Sequence, residues 1–281
     1  MLDSLTRLLR RRPSPDTDSR LMEDWARQRG ETIKRVRDGS GCVLEFRSQG
    51  LPARLEWGPA QRDYIHHREL RVRVELALPE ALEMLVMSRA LAERLETQAY
   101  DQLTRDQQTE IDASMPEEAR WLAMFDPVAL AAPAAFGDAF LVMAASPPHA
   151  RRWVEGELAG RLIRARERWL SADAPLVLMT LRGRLYLRTE ARALDDKLLE
   201  GVRQLIDAAA DSALRVVSRA GLRPVEVGLA GLTQTRQPGV EGVPQASLVA
   251  DPGVSAEELS VDADDELMTN FSIGIPTDHK L

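Results

Sequence analysis

Between Cys42 and Leu76 apolar and polar side chains alternate. Cys42, Leu44 and Phe46 interleave with Val43, Glu45 and Arg47, and Leu55 and Trp57 with Arg54 and Glu56. Leu70, Val72, Val74 and Leu76 interleave with Arg71, Arg73 and Glu75. A period of two turns successive side chains to opposite faces, so each segment predicts a half-buried strand. Asp38-Gly39-Ser40-Gly41, Gly50-Leu51-Pro52 and Gly58-Pro59 separate these runs with residues suited to turns. From Glu31 onward the pattern predicts an antiparallel meander of about four strands with one apolar face.

Helical spacing flanks the meander. Asp18 or Ser19 can cap a helix that carries Leu21, Met22 and Trp25 and stops at Gly30. Pro79 is suited to the first turn of another, with Leu82, Leu85, Val86 and Leu95 as its apolar stripe. A further helical stretch runs through Thr104 to Ile111. Ser114 and Glu117 form a capping box before Trp121, Leu122 and Phe125. After a Pro- and Ala-rich connector (126–137), Ala139 to Ala145 predicts a strand and Pro147 to Leu170 one long amphipathic helix. Leu176 to Leu181 and Leu185 to Thr189 flank Arg182-Gly183, a tight hairpin. Asp195 and Asp196 open a helix whose buried stripe is Leu198, Val202, Leu205 and Ala209. The segments 69–86 and 184–201 both read as strand then helix, the pattern of an old duplication.

The fold class is therefore α+β: an antiparallel meander packed by amphipathic helices, a second smaller strand/helix region, and a disordered acidic C-terminal tail. The expected organisation is a flexible basic segment (1–17), an α+β region (18–125), a connector (126–137), a second α+β region (138–232) and the tail (233–281). The tail reads as disordered because it has too little apolar surface to offset chain entropy.

Charge sharpens the division. From Asp251 onward eight acids face one base, Lys280, which accounts for the net charge of −7 and leaves the preceding residues neutral. A neutral body exerts no general pull on nucleic acid, and an acidic tail repels it. Cys42 is the single cysteine, so no intrachain disulfide forms, as in a reducing cytoplasm. No run approaches the length of a transmembrane helix. Residues 1–12, with Leu2, Leu5, Leu8 and Leu9 ahead of Arg10, Arg11 and Arg12, suit weak contact with an anionic membrane surface.

Few residues carry chemistry. His66 and His67 adjoin Glu69, but neighbours on a strand point to opposite faces and cannot easily share one ion. Cys42 could act as a nucleophile with either histidine, although a lone cysteine on an apolar strand face reads as a small hydrophobe. The glycines before Cys42 join two strands and do not open a helix, so they form no phosphate loop. Glu117-Glu118 and Asp195-Asp196 fit helix starts. Arg47, Arg54, Arg71 and Arg73 share the outer sheet face with Glu45, Glu56 and Glu75, a salt-bridged solvent face. Trp25, Trp121, Trp153 and Trp169 at helical spacing read as core anchors. No catalytic, cofactor or metal residues are assigned. The strongest lead is the acidic, apolar stretch 257–275, whose Leu259, Leu267, Met268, Phe271 and Ile273 suit docking into a partner's groove. The expected function is a non-catalytic adaptor of the bacterial-type cytoplasm that binds a protein partner through this stretch. The alternatives are an enzyme or small-ligand binder using Cys42, His66 and His67, and a peripheral membrane protein attached through residues 1–12.

Overall fold

The computed structural model describes residues 17–35, 41–106 and 116–221. Helix α1 (Thr17–Gln28) leads into β1 (Thr32–Arg35), β2 (Cys42–Ser48), β3 (Leu51–Pro59) and β4 (Arg68–Glu75). These strands pair in sequence, antiparallel throughout, as the alternation predicts. After β4 the expected helix from Pro79 is absent. A turn leads instead into β5 (Met84–Ser88), and α2 (Arg89–Asp106) begins only at its end. All five side chains of Met84-Leu85-Val86-Met87-Ser88 are buried. A strand covered on both faces shows no alternation, and Leu82, Leu85 and Val86 then match a helical stripe by coincidence. The likeness between 69–86 and 184–201 accordingly ends with the strand.

Helix α3 (Glu117–Met124) starts after Pro116. Ser114 and the helical stretch beyond Asp106 lie outside the described residues. Helix α4 (Ala134–Ala139) occupies the end of the expected connector, and Val128 N–H donates to the Val142 carbonyl (2.8 Å), laying that segment along β6 (Phe140–Ala144). The expected long helix is two, α5 (Pro147–Val154) and α6 (Glu157–Arg168). Gly156 between them has φ 101°, a conformation open to glycine and strained for other residues. Strands β7 (Leu176–Leu181) and β8 (Arg184–Glu190) form the expected hairpin, with Arg182 and Gly183 both at positive φ. Helix α7 (Asp196–Ala220) is capped by Asp195, whose carboxylate accepts from Leu198 N (2.7 Å).

The strands join in one antiparallel sheet of order β1-β2-β3-β4-β8-β7-β5-β6. The meander and the later hairpin meet where β4 pairs with β8, Glu69 opposite Glu190 and Glu75 opposite Arg184. One row crosses seven strands: Leu44, Leu55, Val72, Leu187, Leu178, Val86 and Val142. Every member is buried beneath Met22 and Trp25 of α1, Trp153 of α5, Leu162 of α6 and the Val202–Ala209 stripe of α7. Each such side chain contributes roughly 1.5–3 kcal/mol of hydrophobic free energy. No described helix is long and apolar enough to cross a membrane. The tail residues Leu259, Leu267, Met268, Phe271 and Ile273 and the segment 1–12 lie outside the described residues.

Candidate functional site

The opposite face of the sheet is divided. The adjacent row runs Glu56, Arg71, Arg188, Val177 and Met87. Its apolar end is buried on the side where α2 packs on β5 and β6. Glu45 and Arg47 are exposed and Arg54, Glu56, Arg73 and Glu75 half-buried and ion-paired, the outer face the alternation predicts, but toward β4 and β8 the charged row is covered. Glu69, Arg71 and Arg188 are buried, as are Tyr64 and Glu118, which approach from the loop after β3 and from α3.

Register creates the charge problem and the carboxylates resolve it. Arg71 and Arg188 stand directly opposite each other, a repulsive pairing on its own. Glu69 lies between them, accepting from Arg188 Nη1 at 2.6 Å with Arg71 Nη1 at 3.6 Å. Arg71 also donates to Glu56 Oε2 (2.7 Å), and Arg54 Nε lies 2.6 Å from the other oxygen, Oε1. Gln61 N–H donates to the second oxygen of Glu69 (2.7 Å), holding the loop start against the sheet. Tyr64 donates to Glu118 Oε1 (2.6 Å), and Arg62 lies 3.5 Å from the same oxygen.

These contacts set ionisation. Burial opposes charge on Glu118, but Arg62, Arg188 and the Tyr64 hydroxyl outweigh it and hold its carboxyl below the ordinary range. Burial, reinforced by the Glu118 charge, pushes the Tyr64 phenol well above its ordinary value. Arg188 is raised despite burial, because Glu69 and Glu118 favour its charge. The cluster is a charge-compensated pin that ties the 60–67 loop and α3 to the sheet. The Glu117-Glu118 pair thus serves more than the helix dipole: Glu117 binds Arg120 and accepts from Trp121 Nε1.

The structure does not bring Cys42 to the histidines. Cys42 is buried on the core face, its Sγ 3.2 Å from Met22 Sδ. His66 and His67 are exposed and bind Glu190, which belongs to the opposite face: His66 through its backbone N–H (3.0 Å) and His67 through Nδ1 (3.1 Å). Among the described residues no cluster of His, Cys, Asp or Glu has the makings of a metal site.

A cleft of about 780 Å³ opens between α1, α6 and α7. Trp25 and Trp169 supply its aromatic surface. Trp25 is buried with the Arg29 guanidinium 3.9 Å above its ring, and its Nε1–H has no acceptor among the described residues. Trp169 is half-buried, unlike the other three helical tryptophans, and lies against α7 where a side chain at Gly201 would overlap its indole. Arg161, Arg164 and Arg168 recur at three- and four-residue spacing on α6, so all three line the cleft, joined by Arg29 and Lys197. Arg29 pairs with Glu200 (2.7 Å) and Arg161 donates to Gln204 (2.7 Å). Arg164, Arg168 and Lys197 make no ion pair with any described residue and are exposed.

Neither site stands out in the sequence. The signal for the pin is a charge on each side of the central β4–β8 pair. The signal for the cleft is the arginine spacing of 161–168 together with Gly201 inside a helix. Compared with protein-family models, with curated proteins and with solved structures, the chain gives no match.

Proposed function

We propose that this chain is a non-catalytic protein-binding protein, an adaptor acting in the cytoplasm, that recognises a polypeptide in the cleft between α1, α6 and α7. The observation that carries this reading is the composition of the cleft: two tryptophans beside exposed Arg164, Arg168 and Lys197, none of which makes an ion pair with a described residue. Tryptophan and arginine are the residues that most often anchor protein interfaces, since both bury large flat surfaces while keeping a polar edge. The ionic groups on the other sheet face are engaged with one another, which suits a structural task. The acidic stretch with Leu259, Leu267, Met268, Phe271 and Ile273 is a second docking element in this reading, engaging a partner's apolar groove.

The test is crosslinking in living cells followed by purification of three forms: the full chain, a chain ending at Leu232, and a full chain carrying Arg164→Glu and Arg168→Glu. The expected result is a stoichiometric protein partner whose recovery drops with the cleft variant, and a separate loss with the truncation. Identical partners at identical recovery from all three forms would remove both surfaces from the function.

A further inference from the structure

Resting on that protein-binding reading, we infer that the cleft takes an acidic peptide segment of a partner protein, one that carries a large apolar side chain among its carboxylates. Three observations select this chemistry. First, the cleft's charge is positive on balance. Arg29 pairs with Glu200 and Arg161 with Glu157, and the other ionic side chains that line it, all exposed and in no ion pair with described residues, are three cations, Arg164, Arg168 and Lys197, against two acids, Glu167 and Asp196. Opposite charge on a ligand steers its approach and is paired on arrival.

Second, the cleft has an aromatic wall. Trp169 is held half-exposed over Gly201, whose missing side chain makes room for the indole against α7. A ligand of carboxylates alone leaves that ring wet. One with an interspersed leucine or phenylalanine covers it, and burying such a side chain is the main source of interface affinity.

Third, Glu167, Asp196 and Glu200 also line the cleft. Their carboxylates disfavour a continuous polyanion such as a nucleic-acid backbone, which presents charge at every step. A polypeptide brings backbone N–H groups that those carboxylates can accept from. Mixed walls therefore fit a mixed segment in which acids face the α6 arginines and amides face the acids.

The experiment is selection of a random-peptide phage library on the immobilised full chain, followed by fluorescence anisotropy with the enriched peptides. The expected enrichment is of sequences with several Asp or Glu around a Leu, Met, Phe or Trp. Their affinity should fall by about tenfold or more in the Arg164→Glu/Arg168→Glu chain and weaken with added salt. It should persist in Arg152→Glu, an exposed change on α5 outside the cleft. Circular dichroism of the exposed-site variants establishes that they fold. Enrichment of basic or uncharged peptides, or binding unaffected by the α6 reversal, overturns the acidic-ligand inference and leaves the protein-binding reading standing. No enrichment of any peptide overturns both. Self-association of the chain that Arg168→Glu abolishes assigns the cleft to a second copy and overturns the inference as well.

Discussion

Glu118 keeps a charge inside the protein because Tyr64 donates to it and Arg62 and Arg188 surround it. A buried ion costs several kcal/mol to desolvate, and its partners repay that cost only while all are present. Glu118→Gln removes the anion and leaves Arg62 and Arg188 short of compensation, so the expected loss is about 3 kcal/mol of folding stability. Tyr64→Phe removes one donor from the same carboxylate and is expected to cost about 2 kcal/mol. The two changes share a contact, so the double variant should lose less than the sum of the singles. Urea denaturation of the four proteins measures this. Additive losses would mean that Tyr64 and Glu118 act independently, against the 2.6 Å contact between them.

Helices α5 and α6 turn on Gly156, whose φ of 101° and ψ of −122° lie where a side chain meets steric conflict. Gly156→Ala improves helix propensity in the unfolded balance yet forces this backbone, and the strain should dominate by about 2 kcal/mol. A chain that instead straightens 147–168 into one helix would pull Trp153 from the Ala209 carbonyl it binds at 3.0 Å. Unfolding free energy and Trp fluorescence together separate the two outcomes. An unchanged stability would contradict the strained geometry. The same element shows what a sequence makes legible. Strands with one solvated or ionic face announce themselves by alternation, and β2, β3, β4 and β8 were readable for that reason, while β7, covered on both faces, was readable only through the Arg182-Gly183 turn that joins it to β8. The strand β5 was not, because both its faces are covered and alternation vanishes. The break at Gly156 was present as a letter, but helical spacing of Trp153, Leu158 and Leu162 continues across it and hides the bend. Alternation places Glu45, Arg47, Arg54, Glu56, Arg73 and Glu75 on an outer, ion-paired face, and it misses the covering of Arg71, since periodicity reports which face a side chain takes and not that Tyr64 and Glu118 close over it with Glu69 and Arg188. The cleft was not readable, because Trp25, Arg164, Trp169 and Gly201 come together only when three separate helices settle on the sheet.

At the scale of the whole molecule, ionisation links these sites to stability against pH. Burial opposes the charge on Glu118 and Glu190. Arg62, Arg188 and Tyr64 outweigh it at the first, and the His66 N–H, Arg192 and His67 at the second, so both carboxyls sit below the usual range. Glu200 is lowered too, chiefly by the Gln204 amide and then by Arg29, against partial burial. Unfolded glutamates take up protons near about pH 4.3, while these three hold off to lower pH in the folded state. Between those limits the unfolded chain binds more protons, so their contribution is complete above about pH 4.3 and is lost as pH falls through the folded values. Glu83 works the other way: burial and the nearby Glu117 raise its carboxyl, and protonation relieves it, offsetting part of the acid loss. On the alkaline side an unfolded tyrosine ionises near about pH 10, whereas burial and Glu118 keep Tyr64 protonated well beyond that. Its contribution is complete below about pH 10 and declines above it. Urea midpoints measured across the pH range should therefore form a dome that falls on both flanks. Glu118→Gln should lower the plateau and flatten the acid flank, and Tyr64→Phe should flatten the alkaline flank. If Glu118→Gln unfolded with the same acid slope as the parent chain, the carboxylate would not be ionised in its buried setting, and the pin that holds α3 and the 60–67 loop to the sheet would rest on neutral hydrogen bonds alone.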